Sequence, residues 1–262
     1  MYEIKTAETI KIGWAHTKSY GGIILGAGAI YLLIAVVSLF IPFFYFSKTV
    51  FYFYSKIVGI LFLSPLSAGA CFMILKAFRG IRPGMADLFQ GFKLYSTIIV
   101  IGFLLTVAND LIQIPAYLYE FLSNQTFGYL NYEGMTFEQS LVHEANNLIS
   151  FLLLIRFQFV YFVVFDDPSI GAIKALKKSS DIVKGNYTNL VVFYVACFFL
   201  LLVGFLLLII PGIILSLVMY ISLGYIYVRL LDNYNYINNI ASPYNQSPPP
   251  NDQQSPDHPY GQ

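Results

Sequence analysis

Charge is scarce in this chain: only 11% of its 262 residues are Asp, Glu, Lys or Arg, and the net charge is +1. No basic patch large enough for nucleic acid can be assembled from so few cations. Cysteine is nearly absent. Cys71 and Cys197 both fall inside apolar stretches, so they read as small apolar residues and not as a disulfide or metal framework. Histidine is limited to His16, His143 and His258, which the sequence places on different sides or in a tail, so no metal cluster is expected. His143-Glu144 begins like a zinc-protease helix, but the position that needs a second His is Asn147. A phosphate-cradling glycine loop, a Ser–His–Asp order and a catalytic Cys–His pair are also missing. The chain is therefore not read as an enzyme; no catalytic residue, metal or cofactor is expected.

What fills the space instead is apolar. Residues 21–46, 50–75, 95–119, 147–165, 190–210 and 213–231 form six stretches of about 19 to 26 residues, and the mean hydropathy is +0.66. A helix of about 20 apolar residues crosses a bilayer core, so the expected fold is an all-α membrane protein with six transmembrane helices. The 26-residue first stretch is too long for a signal-peptide core, and Ala27, Gly28 and Ala29 come too early in it for cleavage. The first span is thus expected to remain in the membrane.

Orientation follows from the basic residues. Lys5, Lys11, Lys18, Lys76, Arg79, Arg82, Lys93, Lys174, Lys177, Lys178, Lys184 and Arg229 place 12 of 15 on one side. Lys48, Lys56 and the acidic Glu120, Glu133, Glu138 and Glu144 mark the other. Basic loops stay cytoplasmic during insertion. The expectation is a multi-pass protein of the inner or plasma membrane with both termini cytoplasmic.

Each odd-numbered span is preceded by a mildly amphipathic segment, which points to a repeated unit. The segments are 6–18 (TAETIKIGWAHTK), with Ile4, Ala7, Ile10 and Trp14 on one face; 83–93 (PGMADLFQGFK), with Met85, Leu88, Phe89 and Phe92 together; and 168–184 (PSIGAIKALKKSSDIVK), with Ile173, Leu176, Ser180 and Val183 together. Asp167-Pro168 reads as the cap and first turn of the third. The fold is thus three hairpins, each preceded by a cytoplasmic amphipathic interfacial helix. The resulting collar would meet anionic headgroups through Arg79, Arg82, Lys174, Lys177 and Lys178.

Other local signals are spread along the chain. Pro211-Gly212 reads as a tight outer turn between the last two spans. Phe137, Leu141 and Ala145 keep helical spacing, which predicts an outward extension of span four. Asn124-Gln125-Thr126 is a glycosylation sequon in the outer loop. Ser64-Pro65 predicts a kink in span two, and Pro115 another near the end of span three. Gly22, Gly26 and Ala29 share one side of span one at a spacing that favours close helix packing. Residues 1–232 make the membrane domain. Residues 233–262 form a Pro/Asn/Gln-rich cytoplasmic tail read as disordered, and after about residue 241 they hold 6 of the 12 prolines. The tail's partner, if any, is unknown.

Polar groups inside spans are costly unless paired or hydrated. Span three carries Asn109, Asp110 and Gln113; span four carries Arg156 and Gln158. At about 1.5 Å per residue, Asp110 lies about 22 Å and Arg156 about 14 Å from the cytoplasmic ends of their spans. The expectation is an Asp110–Arg156 pair with Asn109, Gln113 and Gln158 around it, serving as helix glue, a lipid-headgroup or ligand site, or an ion path. Lys56 is expected to snorkel to the outer surface.

The segment FDDPSIGAIKALKKSSDIVKGNYTNL, followed by LLIIPGIILSL, resembles a group of prokaryotic six-span integral membrane proteins of uncharacterised function. The group includes YciC-like proteins and the membrane domain attached to some glycerophosphodiester phosphodiesterases. Gly13-Trp14 and Leu88-Phe89-Gln90-Gly91-Phe92-Lys93 look like its other recurring segments. The resemblance covers most of residues 8–232 and implies a fold and a cell-envelope setting, without catalytic residues. The resulting expectation is a non-catalytic lipid-associated or scaffold role, with an amphiphile held near Asp110 and Arg156. The alternatives are a small transporter or export factor using the polar residues of spans three and four, or an accessory subunit of a membrane complex. Expected partners are membrane lipids, with a homo-oligomer or a membrane-protein partner also open.

Overall fold

The computed structural model describes residues 4–122, 137–207 and 209–241. The helices are α1 (Thr6–Tyr45), α2 (Lys48–Val58), α3 (Ser64–Phe78), α4 (Tyr95–Leu122), α5 (Phe137–Leu154), α6 (Val160–Asp166), α7 (Ala172–Val183), α8 (Tyr187–Leu207) and α9 (Ile209–Ala241). A π-turn, Gly59–Leu63, joins α2 to α3; 3-10 turns occupy Met85–Leu94 before α4 and Ile155–Phe157 between α5 and α6. Among the described residues, six helical stretches are long and apolar enough to cross a membrane: Thr6–Phe44, Val50–Phe78, Met85–Ala116, Ser140–Asp166, Tyr187–Leu206 and Pro211–Asn238. The all-α, six-span architecture is the one the apolar runs dictate.

The spans divide by burial. In the second, fourth and sixth, 44%, 39% and 44% of the most apolar window is packed inside the protein, against 11%, 17% and 22% in the first, third and fifth. Even spans therefore form the centre. Phe159 and Phe162 of span four meet Tyr227 of span six, and α3 packs on both α6 and α9. Odd spans fill the crevices between them: α1 touches α9 and α3, α4 touches α3 and α5, and α8 touches α9 and the Ile155–Phe157 turn. Each hairpin thus contributes one inner and one outer helix. The outer helices expose large apolar side chains, among them Leu33 (64%), Phe198 (61%) and Leu206 (85%). Water would not tolerate so continuous an apolar belt, whereas hydrocarbon does.

The connecting segments differ from the expected collar in form. The first is not a separate helix: α1 runs unbroken over 40 residues, or about 60 Å, roughly twice the hydrocarbon thickness. Its packed side carries Thr9, Gly13, Ile24 and Ala27, while Ala7 and Trp14 face outward, with Lys18 over the Trp14 ring. A Cβ on Gly13 would lie 2.0 Å from Ser222 Oγ, which explains the small residue there. The second segment folds as a 3-10 turn wedged against α3. A Cβ on Gly69 would fall 1.8 Å from the Leu88 carbonyl oxygen, and one on Gly91 1.9 Å from that of Pro65. Asp87 fastens this segment by accepting from the Gly84 amide and from Lys76 Nζ, both at 2.7 Å. The third is α7, whose buried side is Ala175, Ser179, Ile182 and Val183, with Ile173 75% exposed.

Several local expectations shift by a few residues. Asp167 does not cap α7. Its carboxylate accepts from the Ser169 hydroxyl at 2.6 Å and the Ser169 amide at 3.2 Å, forming a turn, and α7 begins only at Ala172. These bonds, with Lys178 and Lys174 nearby, hold the Asp167 carboxyl below its ordinary value. The chain leaves α7 through Gly185, at φ 89°, where a side chain would be strained. Pro211 and Gly212 lie in the first turn of α9 and do not form the reversal themselves; Pro is tolerated there because first-turn N–H groups lack helical partners. Gly204 and Gly212 let the two helices approach, a Cβ on Gly204 lying 3.2 Å from Gly212 Cα. Gly22 is exposed with nothing near it, so the close contacts of span one run through Gly13, Gly21 and Gly26. The tail boundary also moves: 233–241 continue α9, with Leu231 and Tyr234 packed on the core. The rest of the tail, 242–262, and the sequon at Asn124 lie outside the described residues. The outward extension of span four exists as the start of α5.

Candidate functional site

Two breaks in helical geometry lie beside a cleft between spans two, three and four. In span two, Pro65 has no amide hydrogen to donate, and the chain widens into the π-turn Gly59–Leu63. The Ser64 backbone amide and its hydroxyl (3.0 Å) both reach back to the Gly59 carbonyl. The predicted kink is thus realised as a π-turn. In span four, the helix tightens at Ile155–Phe157 before resuming at Val160. Gly102 of α4 seats against Ser64, whose Oγ a Cβ there would meet at 2.8 Å. The remaining space is a wide-mouthed cleft of about 450 Å³ lined by Lys56, Ser64, Gly102, Leu105, Thr106, Asn109, Leu154, Phe157, Gln158, Val160 and Tyr161.

The cleft's polar groups are held in place by neighbours. Lys56 Nζ lies 2.7 Å from Asp110 Oδ1, with side chains 30% and 37% exposed. The Tyr52 hydroxyl donates to the same carboxylate oxygen at 3.3 Å, and Lys56 Nζ sits 5.2 Å from the Tyr52 ring centre. Asp110 therefore takes Lys56 as its partner and not Arg156. Arg156 lies on the short 3-10 turn, exposed, its guanidinium 5.8 Å from the Tyr187 ring centre and outside the cleft lining. The rotation of the helix there, and not its depth, turns the side chain away. Asn109 Oδ1 accepts from the Ser150 hydroxyl, and Gln113 Nε2 donates to Asn147 Oδ1 at 3.3 Å. The Tyr194 hydroxyl donates to Gln158 Oε1, while Gln158 Nε2 is buried with no partner.

Of the five residues expected to form the site, Asn109 and Gln158 line the cleft and Asp110 braces its lysine. Gln113 ties α4 to α5, and Arg156 stands apart. Sequence reasoning missed Lys56, Tyr52 and Tyr194. Lys56 was legible in principle: counted from the outer ends of their spans, Lys56 and Asp110 lie at similar depths on consecutive antiparallel helices.

The headgroup residues separate as well. Arg79 is engaged by Asp166, which also accepts from the fully buried Tyr227 hydroxyl. This trio ties the C-terminal end of span two to those of spans four and six. Arg82, Lys174 and Lys177 are exposed, and Lys178 is half-buried.

A second cleft of about 630 Å³ lies between spans one, two and six, lined mainly by apolar side chains such as Ile24, Leu32, Ala70, Met73 and Leu217, with Tyr31, Ser67 and Tyr220 among them. Its hydroxyls have partners: Ser67 Oγ donates to the Tyr31 hydroxyl at 3.4 Å, Ser216 Oγ donates to the Ile213 carbonyl at 2.7 Å, and Tyr220 contacts Cys71 Sγ at 3.5 Å.

Fold and site together define a multi-pass helical membrane protein with a polar-lined cleft at the level of its apolar spans. No protein-family model, curated protein or solved structure matches the chain. The likeness to YciC-like six-span proteins accordingly rests on the sequence segments alone.

Proposed function

We propose that the protein is a non-catalytic, lipid-associated component of the cell envelope that holds one amphiphile in the cleft between spans two, three and four. Its setting in this reading is the inner or plasma membrane, with both termini cytoplasmic, which the distribution of basic residues supports and the likeness to YciC-like proteins implies. The observation that carries the reading is a cleft walled by Leu105, Leu154 and Phe157 yet furnished with Lys56, Asn109 and Gln158, within spans whose outer faces are apolar. An apolar cavity with a few convergent polar groups is the usual form of a small-molecule site, and about 450 Å³ falls in the usual range. Exposed Arg82, Lys174 and Lys177 supply headgroup contacts at the cytoplasmic surface.

Extraction with the surrounding bilayer, followed by native mass spectrometry, tests the proposal. One lipid-sized adduct per chain is expected, lost when Leu105→Trp fills the cleft. Only exchangeable bulk lipid, equal in both proteins, would remove the site and leave its polar groups as helix glue.

A further inference from the structure

We infer that the cleft between spans two, three and four selects an uncharged lipid, held through a carbonyl oxygen that accepts a hydrogen bond from Gln158 Nε2. The inference rests on the amphiphile reading above and adds the chemical class of the ligand.

Among the described residues, the only ionic side chain lining the cleft is Lys56, and Asp110 already neutralises it at 2.7 Å, with Tyr52 bonded to the same carboxylate. Arg156 is turned away over Tyr187. A phosphate entering this space would find no uncommitted cation, and an anion moved from water into such surroundings without a partner is strongly disfavoured.

Hydrogen-bonding capacity points the same way. In this structure the Tyr194 hydroxyl donates to Gln158 Oε1. The NH₂ end is left buried and without a partner, in a residue that lines the cleft. A buried donor without an acceptor is costly, so the group that completes it stabilises the complex. Asn109 Oδ1 is likewise committed, to Ser150. The cleft therefore offers a donor to an acceptor oxygen, beside apolar walls formed by Leu105, Leu154 and Phe157. An acylglycerol ester and a prenyl or alkyl quinone both present that chemistry, an uncharged carbonyl on an apolar body.

The test uses the full chain in phosphatidylcholine nanodiscs, titrated separately with dioleoylglycerol, decylubiquinone and dioleoyl phosphatidate and read by native mass spectrometry. One-to-one binding of the glyceride or of the quinone is expected, and which of the two binds identifies the source. Gln158→Met, which keeps the volume and removes the donor, weakens that binding about tenfold. Tyr194→Phe, which keeps the amide and removes the hydroxyl that donates to it, weakens it about threefold and serves if Gln158→Met fails to fold. Phosphatidate binding as tightly as the uncharged probes would overturn the inference while leaving the amphiphile cleft intact. So would wild-type affinity in both variants. If none of the three probes binds one-to-one, the amphiphile reading falls with it.

Discussion

Removing the Asp110 carboxylate strands the Lys56 ammonium at a level where its neighbours are Leu105, Leu154 and Phe157. Breaking a fully buried ion pair costs about 3–5 kcal/mol, because one charge is left uncompensated. A fully exposed pair is worth about 0–1 kcal/mol. Side-chain exposures of 30% and 37% place Lys56–Asp110 between these limits, so Asp110→Ala is expected to cost about 2 kcal/mol. At about 2–4 °C per kcal/mol for a chain of this size, the melting midpoint should fall by about 4–8 °C. Removing both charges deletes the stranded group with its partner, and Asp110→Ala with Lys56→Met should return to within about 1 kcal/mol of the wild type. Asp110→Ala with Arg156→Ala should show no such recovery, since Arg156 is engaged elsewhere. The assay is thermal unfolding in one detergent across all the variants. A Lys56/Asp110 double variant that melts as low as the sum of its parts would refute the pairing, and recovery with Arg156 would restore the pair expected from depth alone.

Further predictions concern packing, the Asp166 anchor and pH. Gly69→Ala and Gly91→Ala should each destabilise by about 1–3 kcal/mol or more, because a methyl group at either site collides with backbone; Gly22→Ala, with open space around it, should stabilise slightly in the same thermal assay. Tyr227→Phe should cost about 1 kcal/mol by leaving Asp166 with Arg79 alone, and Asp166→Ala should cost more by also freeing Arg79. The Asp167 carboxyl is depressed, so its stabilisation of the 167–170 turn is present above the ordinary carboxylate range and is lost as pH falls through its lowered value. The protection of the Ser169 amide relative to its intrinsic exchange rate at each pH should therefore fall in acid, and Ser169→Ala should diminish the pH dependence of the turn.

The span count was legible because apolar length is a one-dimensional property, and the extension of span four was legible because Leu141 keeps helical phase with the apolar run behind it. The inner and outer ranking of the spans was not. Span one is as apolar as any yet lies outermost, since hydropathy does not distinguish contact with lipid from contact with protein. The polar site was half legible. Depth, read at a fixed rise per residue, put Asn109 and Asp110 at one level and left Arg156 and Gln158 nearer the expected cytoplasmic end. Partner choice depends on rotation about each helix axis, and the π-turn before Ser64 and the 3-10 turn at Ile155–Phe157 reset that rotation. Arg156 was misassigned for this reason. The glycines of the recurring segments had a packing explanation that only contacts could reveal: Gly13 meets Ser222, and Gly91 meets the Pro65 carbonyl. The α9 extension through 233–241 was hidden by Asn and Tyr, which look like tail composition until Tyr234 is seen against the core.

The most direct test of the central claim is a density map of the full chain in nanodiscs made with native lipids, stabilised by a rigid antibody fragment. The account predicts density for a single bound molecule between spans two, three and four, its polar end within hydrogen-bond distance of Gln158 Nε2 and its apolar body leaving between Leu105 and Phe157. A cleft closed by side chains, or filled only by water in contact with Gln158, would contradict it.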